Sequence, residues 1–329
     1  MRLAALITAT SLAAPAAAGD FLLQFPLDCT LGEDCHIQQF VDHDPSPEAS
    51  DFTCGTLSYD GHKGTDFALP YLSDMQAGAQ VRAAADGVVL GTRDSMADTY
   101  ATEENAAAIE GKECGNGVIL RHADGWETQY CHMKRGSVQV QKGMKVTAGD
   151  VLGEVGLSGK TQFPHLHLSV RKDGAVVDPF APDQLGTCGA APADTLWAEL
   201  PPYQPGGVLG AGFSTAIPDY GAVRAGSADE APLAPDAPAF VFWAYAFGGQ
   251  AGDTLELTVT GPGGELVSHS EALPKNQAQF FRAAGRRLRG GAWPAGTYSG
   301  TARLLRDGQE IDRFLSSMEI PQEDSAASQ

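Results

Sequence analysis

Positive charge is scarce in this chain of 329 residues: 22 lysines and arginines face 41 aspartates and glutamates, for a net charge of -19. Such a balance repels phosphates, which excludes general nucleic-acid binding and disfavours an anionic membrane surface. Beyond the N-terminal segment no apolar run is long enough to cross a bilayer, so no transmembrane segment is expected in the mature chain. No long segment repeats with period 3.6, which argues against a helical fold. There is no CxxC pair to build a cysteine zinc site, and no HExxH to supply the glutamate base of the zincins.

What is present begins with a secretory pattern over residues 1–18. Arg2 gives a minimal positive start, an apolar stretch runs from Leu3 to Leu12, and Ala16-Ala17-Ala18 offers a small-residue cleavage site. The expected location is periplasmic or secreted. The six cysteines agree, because an even number in an exported chain usually means disulfides. Cys29 and Cys35 are close enough for a small loop. Cys131 falls almost opposite Cys114 if the hairpin described below forms, and Cys54 and Cys188 are left to tie the start of the domain to its end.

Short alternating strands separated by glycines fill residues 56–182. The clearest pair runs from Gly117 to His122 and returns from Trp126 to His132, around Ala123-Asp124-Gly125. Residues 94–113 interrupt the pattern and read as a long loop, with a helical turn, bordering a binding groove. Residues 19–55 read as a cysteine-containing extension clasped onto this domain, and residues 183–210, rich in Pro, Gly and Ala, as a linker. Residues 211–321 alternate again, in Phe240–Tyr245 and Thr254–Thr260, with Gly296–Tyr298 and Arg303–Leu305 flanking a strand pair. This second unit is read as an immunoglobulin-like β-sandwich, ending in a frayed tail at 322–329. The fold class is all-β and antiparallel, since the connections are short.

Chemistry concentrates in three histidine clusters: Gly61-His62-Lys63-Gly64-Thr65-Asp66-Phe67, Gln129-Tyr130-Cys131-His132, and Gly159 through His165-Leu166-His167. Residues two apart on a strand face one side, so His165 and His167 present two imidazoles to one point. One can bind a metal while the other faces a substrate beside it. Pro164 restricts its predecessor and cannot donate to a ladder, so the strand should begin there. His62 and Asp66 add a nitrogen and a carboxylate oxygen. Zinc suits such donors, and three protein ligands leave its fourth position to water.

HxxxD, then Tyr-x-His at a strand end, then HLH after Ser158-Gly159-Lys160-Thr161, resembles the M23 metallopeptidases of the lysostaphin/LytM type. The resemblance covers about Gly55 to Pro179, including Gly115-Asn116-Gly117-Val118 and Val177-Asp178-Pro179. It implies an antiparallel LytM-type peptidase domain with Zn2+ on His62, Asp66 and His167, and catalytic histidines at His132 and His165. It further implies peptide-bond hydrolysis by attack of zinc-bound water, with peptidoglycan cross-links as the substrate. Some relatives have lost zinc ligands and activate amidases. Here all five positions are intact, which implies an enzyme. A catalytically silent wall-binding or amidase-activating protein is the alternative, and an enzyme cutting secreted proteins a third reading.

Other residues invite chemistry and are set aside. His36 is read as structural or exposed, Asp42-His43-Asp44 as an acidic loop at the domain edge, and His122 as solvated. Ser158 lacks the final glycine of G-x-S-x-G. Arg282, Arg286, Arg287 and Arg289 are read as a solvated basic loop. The C-terminal sandwich shows no chemistry and is left to dock the wall or to meet a regulatory partner.

Overall fold

The computed structural model describes residues 21–189 and 194–322; the expected secretory segment 1–18 and nearly all of the expected tail lie outside the described residues. The first unit is built on strands β1 (His36–Gln39), β2 (Thr65–Ala68), β3 (Gln80–Arg82), β4 (Gly87–Arg93), β5 (Asn116–Arg121), β6 (Trp126–Met133), β7 (Lys145–Val146), β8 (Val151–Glu154), β9 (His165–Lys172) and β10 (Ala175–Val177). Helix α1 (Leu72–Ala77) and the short α2 (Ala106–Ile109) interrupt them. The main sheet is antiparallel in the order β1-β2-β9-β6-β5-β4-β7, with β10 on β9 and a separate β3-β8 pair.

Alternation decides which face is core. Leu166, Leu168 and Val170 of β9, Val118 and Leu120 of β5 and Tyr130 of β6 are buried in one cluster. Each such side chain contributes roughly 1.5–3 kcal/mol by leaving water. Period two then turns His165, His167 and Ser169 to the opposite face. The antiparallel register sets Asp66 of β2 directly across from His167, and Cys131 of β6 across from it on the other side.

The second unit comprises β11 (Gly207–Ser214), helix α3 (Tyr220–Ala225), β12 (Ala239–Gly249), β13 (Thr254–Gly261), β14 (Gly264–Ala272), β15 (Gln277–Arg287), β16 (Gly296–Arg306) and β17 (Gln309–Ile320). Two antiparallel sheets, β11-β12-β15 and β14-β13-β16-β17, share one core around Phe242, Ala244, Leu257 and Tyr298. The arrangement is compatible with an immunoglobulin-like sandwich. No helix among the described residues is long and apolar enough to cross a membrane.

The three expected disulfides form: Cys29–Cys35, Cys54–Cys188 and Cys114–Cys131. Several local expectations are corrected. Gly296 to Arg306 is one strand, paired with β17 across the Asp307-Gly308 turn. The arginine cluster is not a loop: Arg282, Arg286 and Arg287 lie on β15, and Arg282 pairs with Glu271. Strand β11 begins at Gly207, within the stretch read as linker, and β1 carries the N-terminal extension into the main sheet. His122 is buried; its Nδ1–H donates to the Asp86 carbonyl at 2.6 Å, and Nε2 accepts from Thr128 Oγ1 at 2.8 Å. His36, read as structural or exposed, is the former: it is buried against Phe247 of the sandwich, and burial holds its pKa at about 4.

His43 departs furthest from expectation. Only 2% exposed, it joins the N-terminal extension to the segment after Asp178. Its Nδ1 faces the Gln184 and Thr187 carbonyls at 3.1 and 2.6 Å, and its Nε2 faces Asp178 Oδ2 at 2.8 Å. Every partner is an acceptor, so both ring nitrogens must carry hydrogen and the ring is an imidazolium. Burial alone would lower its pKa; the Asp178 carboxylate and the two carbonyls outweigh burial and raise it. A raised folded pKa gives stability that is full below the unfolded value and is lost as pH rises through the folded one. His43→Ala should therefore cost about 3–5 kcal/mol at pH 6. Denaturant unfolding of wild type and variant from pH 5 to 9 should show that gap narrowing as the solution becomes alkaline. A gap constant to pH 9 would exclude the buried cation.

Candidate metal centre

His62 sits at the end of a turn closed by its own N–H donating to the Tyr59 carbonyl at 3.0 Å, with Gly61 at φ +72. Its Nδ1–H donates to the Phe40 carbonyl at 2.6 Å, which fixes the tautomer and aims the bare Nε2 inward. There Nε2 lies 3.2 Å from Asp66 Oδ1 and 3.1 Å from His167 Nδ1. His167 Nδ1 is 2.8 Å from the same carboxylate oxygen, while its Nε2 is 3.0 Å from Ser169 Oγ on the next same-face position of β9. With Nε2–H donating to Ser169, two nitrogen lone pairs and one carboxylate oxygen converge, all within 4.8 Å of one another.

Three acceptors facing one point with no hydrogen between them repel unless a cation stands there. The same deficit of positive charge raises the His62 pKa: burial pulls it down, but Asp66 outweighs burial. Burial would lift the Asp66 carboxyl, yet the surrounding imidazoles hold it well below the usual carboxylate range. Two imidazole nitrogens and a carboxylate oxygen are a donor set that zinc takes, so the residues fit the expected metal. Among the described residues, Cys29, Asp34 and Cys35 also lie close together, but both sulfurs there are in a disulfide.

His132 and His165 flank this centre, with ring centroids 4.6 Å apart. His132 has φ +61, a left-handed conformation costing roughly 1–3 kcal/mol in a residue with a Cβ. It is held there by its N–H on the Cys114 carbonyl at 2.8 Å, beside the Cys114–Cys131 disulfide, and by Nδ1–H donating to the Ser158 carbonyl at 2.8 Å. His165 Nδ1–H donates to the Phe163 carbonyl at 2.9 Å, and its Nε2 is 3.5 Å from Asp66 Oδ1. Both rings therefore leave Nε2 bare; that of His165 faces Asp66, and both rings line the groove at the centre. Burial, helped by the neighbouring histidines, keeps His132 far below its ordinary pKa, and burial lowers His165 as well.

The five residues singled out in the sequence thus meet on one face of the sheet. Sequence reasoning missed their supports. Ser169 was reachable from its spacing, two residues beyond His167. Phe40 gave no signal, because its carbonyl acts 22 positions upstream of His62. Gly64 was missed too: a Cβ there would lie 2.6 Å from His167 Nε2 and from the Leu168 carbonyl. Ser158 is no nucleophile, since its Oγ donates to the Met133 carbonyl and accepts from the Asn116 N–H.

The centre opens on a groove of about 1190 Å³ between Tyr59, the 94–113 excursion with α2, and Phe163; Ala278 of β15 completes its rim. A hollow of about 470 Å³ elsewhere, near Asp86 and Lys145, gathers no comparable set of side chains.

The model of peptidase family M23 matches residues 60–179, the segment that carries all five residues. Over 118 residues the chain is 36% identical to the DD-carboxypeptidase/endopeptidase Mpg of Neisseria meningitidis, covering 36% of this chain and 22% of that protein. It is 33% identical over 117 residues to the peptidoglycan DD-endopeptidase ShyA of Vibrio cholerae, again covering 36% of this chain and 22% of the relative. The chain thus spans about a fifth of the length of these curated relatives. Among solved structures, a zinc containing peptidase from Vibrio cholerae aligns at 26% identity over 43% of this chain and 38% of that one, with a TM-score of 0.28.

The purified chain is expected to hold about one zinc ion, read by elemental mass spectrometry. His167→Ala or Asp66→Ala should remove it. Gly64→Ala, which crowds the His167 ring without deleting a donor, should weaken zinc binding about 10–100-fold with circular dichroism unchanged. Undiminished zinc in all three variants would place the metal elsewhere.

Proposed function

This chain carries a domain of peptidase family M23 over residues 60–179, and on that premise we propose that it is an exported zinc metalloendopeptidase that hydrolyses peptide cross-links in peptidoglycan. In this reading residues 1–18 are removed on export, residues 56–182 form the peptidase unit, and residues 211–321 form the accessory sandwich. The observation that carries it is the meeting of His62, Asp66 and His167 within 4.8 Å, beside two more histidines and at the floor of an open groove. The three disulfides support an oxidising, periplasmic or secreted location. The names of the Mpg and ShyA relatives support peptidoglycan as the substrate.

His62, Asp66 and His167 would hold zinc, which when bound would supply Lewis acidity and make a water acidic enough to ionise near neutrality. The chain's own groups do the rest. The Phe40 carbonyl fixes the His62 tautomer, and the Ser169 hydroxyl bonds the far nitrogen of His167. His132 and His165 keep bare nitrogens and both line the groove, so one takes a proton from the attacking water and the other stabilises the developing oxyanion. The proton then returns to the leaving amine. The Ser158 and Phe163 carbonyls hold each ring by its far nitrogen, so no reorientation is needed during the reaction.

Digestion of purified cross-linked muropeptides, followed by mass spectrometry, should release monomers and stop with a chelator. His132→Ala and His165→Ala should each lower turnover about 10²–10⁴-fold with zinc content retained. A wild-type chain that holds zinc and leaves every cross-link intact would instead support the silent wall-binding reading.

A further inference from the structure

Helix α3 of the sandwich reaches the rim of the groove through one side chain. Arg224 lies in its last turn, with its guanidinium carbon 4.6 Å from the centre of the Tyr100 ring and 5.1 Å from that of Tyr220. Its Nη1 donates to the Gln162 carbonyl at 3.4 Å. Tyr220 belongs to α3 itself, whereas Tyr100 and Gln162 belong to the two chain segments that wall the groove.

Arg224 is also unusual energetically. Among the described residues it pairs with no carboxylate, and its Nε is buried without a partner. In a protein of net charge -19, exposed carboxylates are plentiful. An arginine serving adhesion alone would be expected to pair with one and remain solvated. The helix that carries it is fixed by packing: Val223 is fully buried with Trp243 and Tyr245, and Tyr71, which precedes α1 of the first unit, packs on the same cluster.

The two segments that Arg224 touches are bonded to each other and lead to the site. Thr99 N–H donates to the Leu157 carbonyl at 2.9 Å, and Ala101 N–H to the Thr161 carbonyl at 2.8 Å. Thr161 Oγ1 donates to the Phe163 carbonyl at 2.8 Å and lies 3.1 Å from His165 Nδ1. The Phe163 ring stacks on His165 at 4.4 Å. From the guanidinium to the His165 ring the contacts are continuous.

We propose that Arg224 is a positioning residue through which the C-terminal sandwich braces the groove wall, clamping the Tyr100 excursion onto the Leu157–Phe163 segment and so seating His165. The assignment of His165 to catalysis rests on the peptidase reading above, but the clamp itself does not. An arginine from the sandwich makes the peptidase unit's wall depend on sandwich docking, which gives the second unit a role in turnover without contact with substrate.

The test uses the full mature chain with Arg224→Ala, Arg224→Lys and Tyr100→Leu. Amide hydrogen exchange at Thr99 and Ala101 should quicken at least about tenfold in Arg224→Ala and in Tyr100→Leu, while Leu168 in the core stays protected. Turnover of muropeptides should fall about tenfold in kcat, with KM within about twofold and zinc content unchanged. Lysine keeps the cation over the ring and should restore most of both readouts. Wild-type exchange and wild-type kcat in both clamp-breaking variants would overturn the proposal, as would a lowered melting temperature with neither readout moved. Should wild type prove inactive, the peptidase reading fails on that result alone, and exchange at Thr99 and Ala101 still decides whether the clamp exists.

Discussion

The antiparallel register between β2 and β9 is the constraint on which the site depends. It sets Asp66 against His167 as direct cross-strand partners, so a carboxylate and an imidazole meet at 2.8 Å without any loop having to bring them together. The core face of the same strands is apolar, with Leu166, Leu168 and Phe67 buried. A slip of one residue would turn those side chains to solvent and the histidines into the core. The burial that stabilises the sheet therefore also fixes the donors, and the precision of the site derives from hydrophobic patterning.

What the register does not fix, backbone carbonyls do. Phe40, Ser158 and Phe163 each accept a hydrogen bond from the Nδ1–H of one histidine, at 2.6, 2.8 and 2.9 Å. Carbonyls accept and never donate, so each bond selects one tautomer and leaves the opposite nitrogen bare. His132 needs more, because its φ of +61 is unfavourable. The Cys114–Cys131 disulfide closes a short loop beside it, with a sequence separation of 17. Loop closure of that size contributes about 3 kcal/mol in the chain-entropy account, comparable with the strain it accompanies.

The chemistry-bearing residues were legible in sequence because strands report their faces by period two and because histidine is rare here, with seven of the eight before residue 183. The hairpin across Asp124-Gly125 and the Cys29–Cys35 and Cys114–Cys131 bridges were legible for local reasons, whereas Cys54–Cys188, 134 residues apart, was reached only as the pair left over. Strand β1 was not: His36-Ile37-Gln38-Gln39 has no apolar alternation, and it is extended because β2 offers it a partner. His43 and His122 were read as surface residues because their partners, Asp178 and Asp86, lie far off in the chain. The arginines of β15 obscured a strand, since an edge strand can carry charge where its far face meets solvent.

A site of this kind is costly to fold around. Asp66, His62, His132 and His165 are all buried, and His62, His165 and His167 crowd one carboxylate oxygen, Asp66 Oδ1, within 3.5 Å. Unpaired buried polar groups each cost roughly 1–3 kcal/mol. A cation bound only by the folded chain offsets that cost in proportion to RT ln(1 + [L]/Kd), so metal occupancy and stability are linked. The large core, the disulfides and the sandwich supply the burial and cross-linking that offset the cost of such a cluster in the absence of an ion. Contacts between the units fall beside the site as well as far from it: Gln38 Nε2 donates to the Ala278 carbonyl at 2.9 Å, and Ala278 sits on the groove rim. The sandwich is accordingly part of the groove's architecture, and its removal would expose β1, the strand whose neighbour carries Asp66.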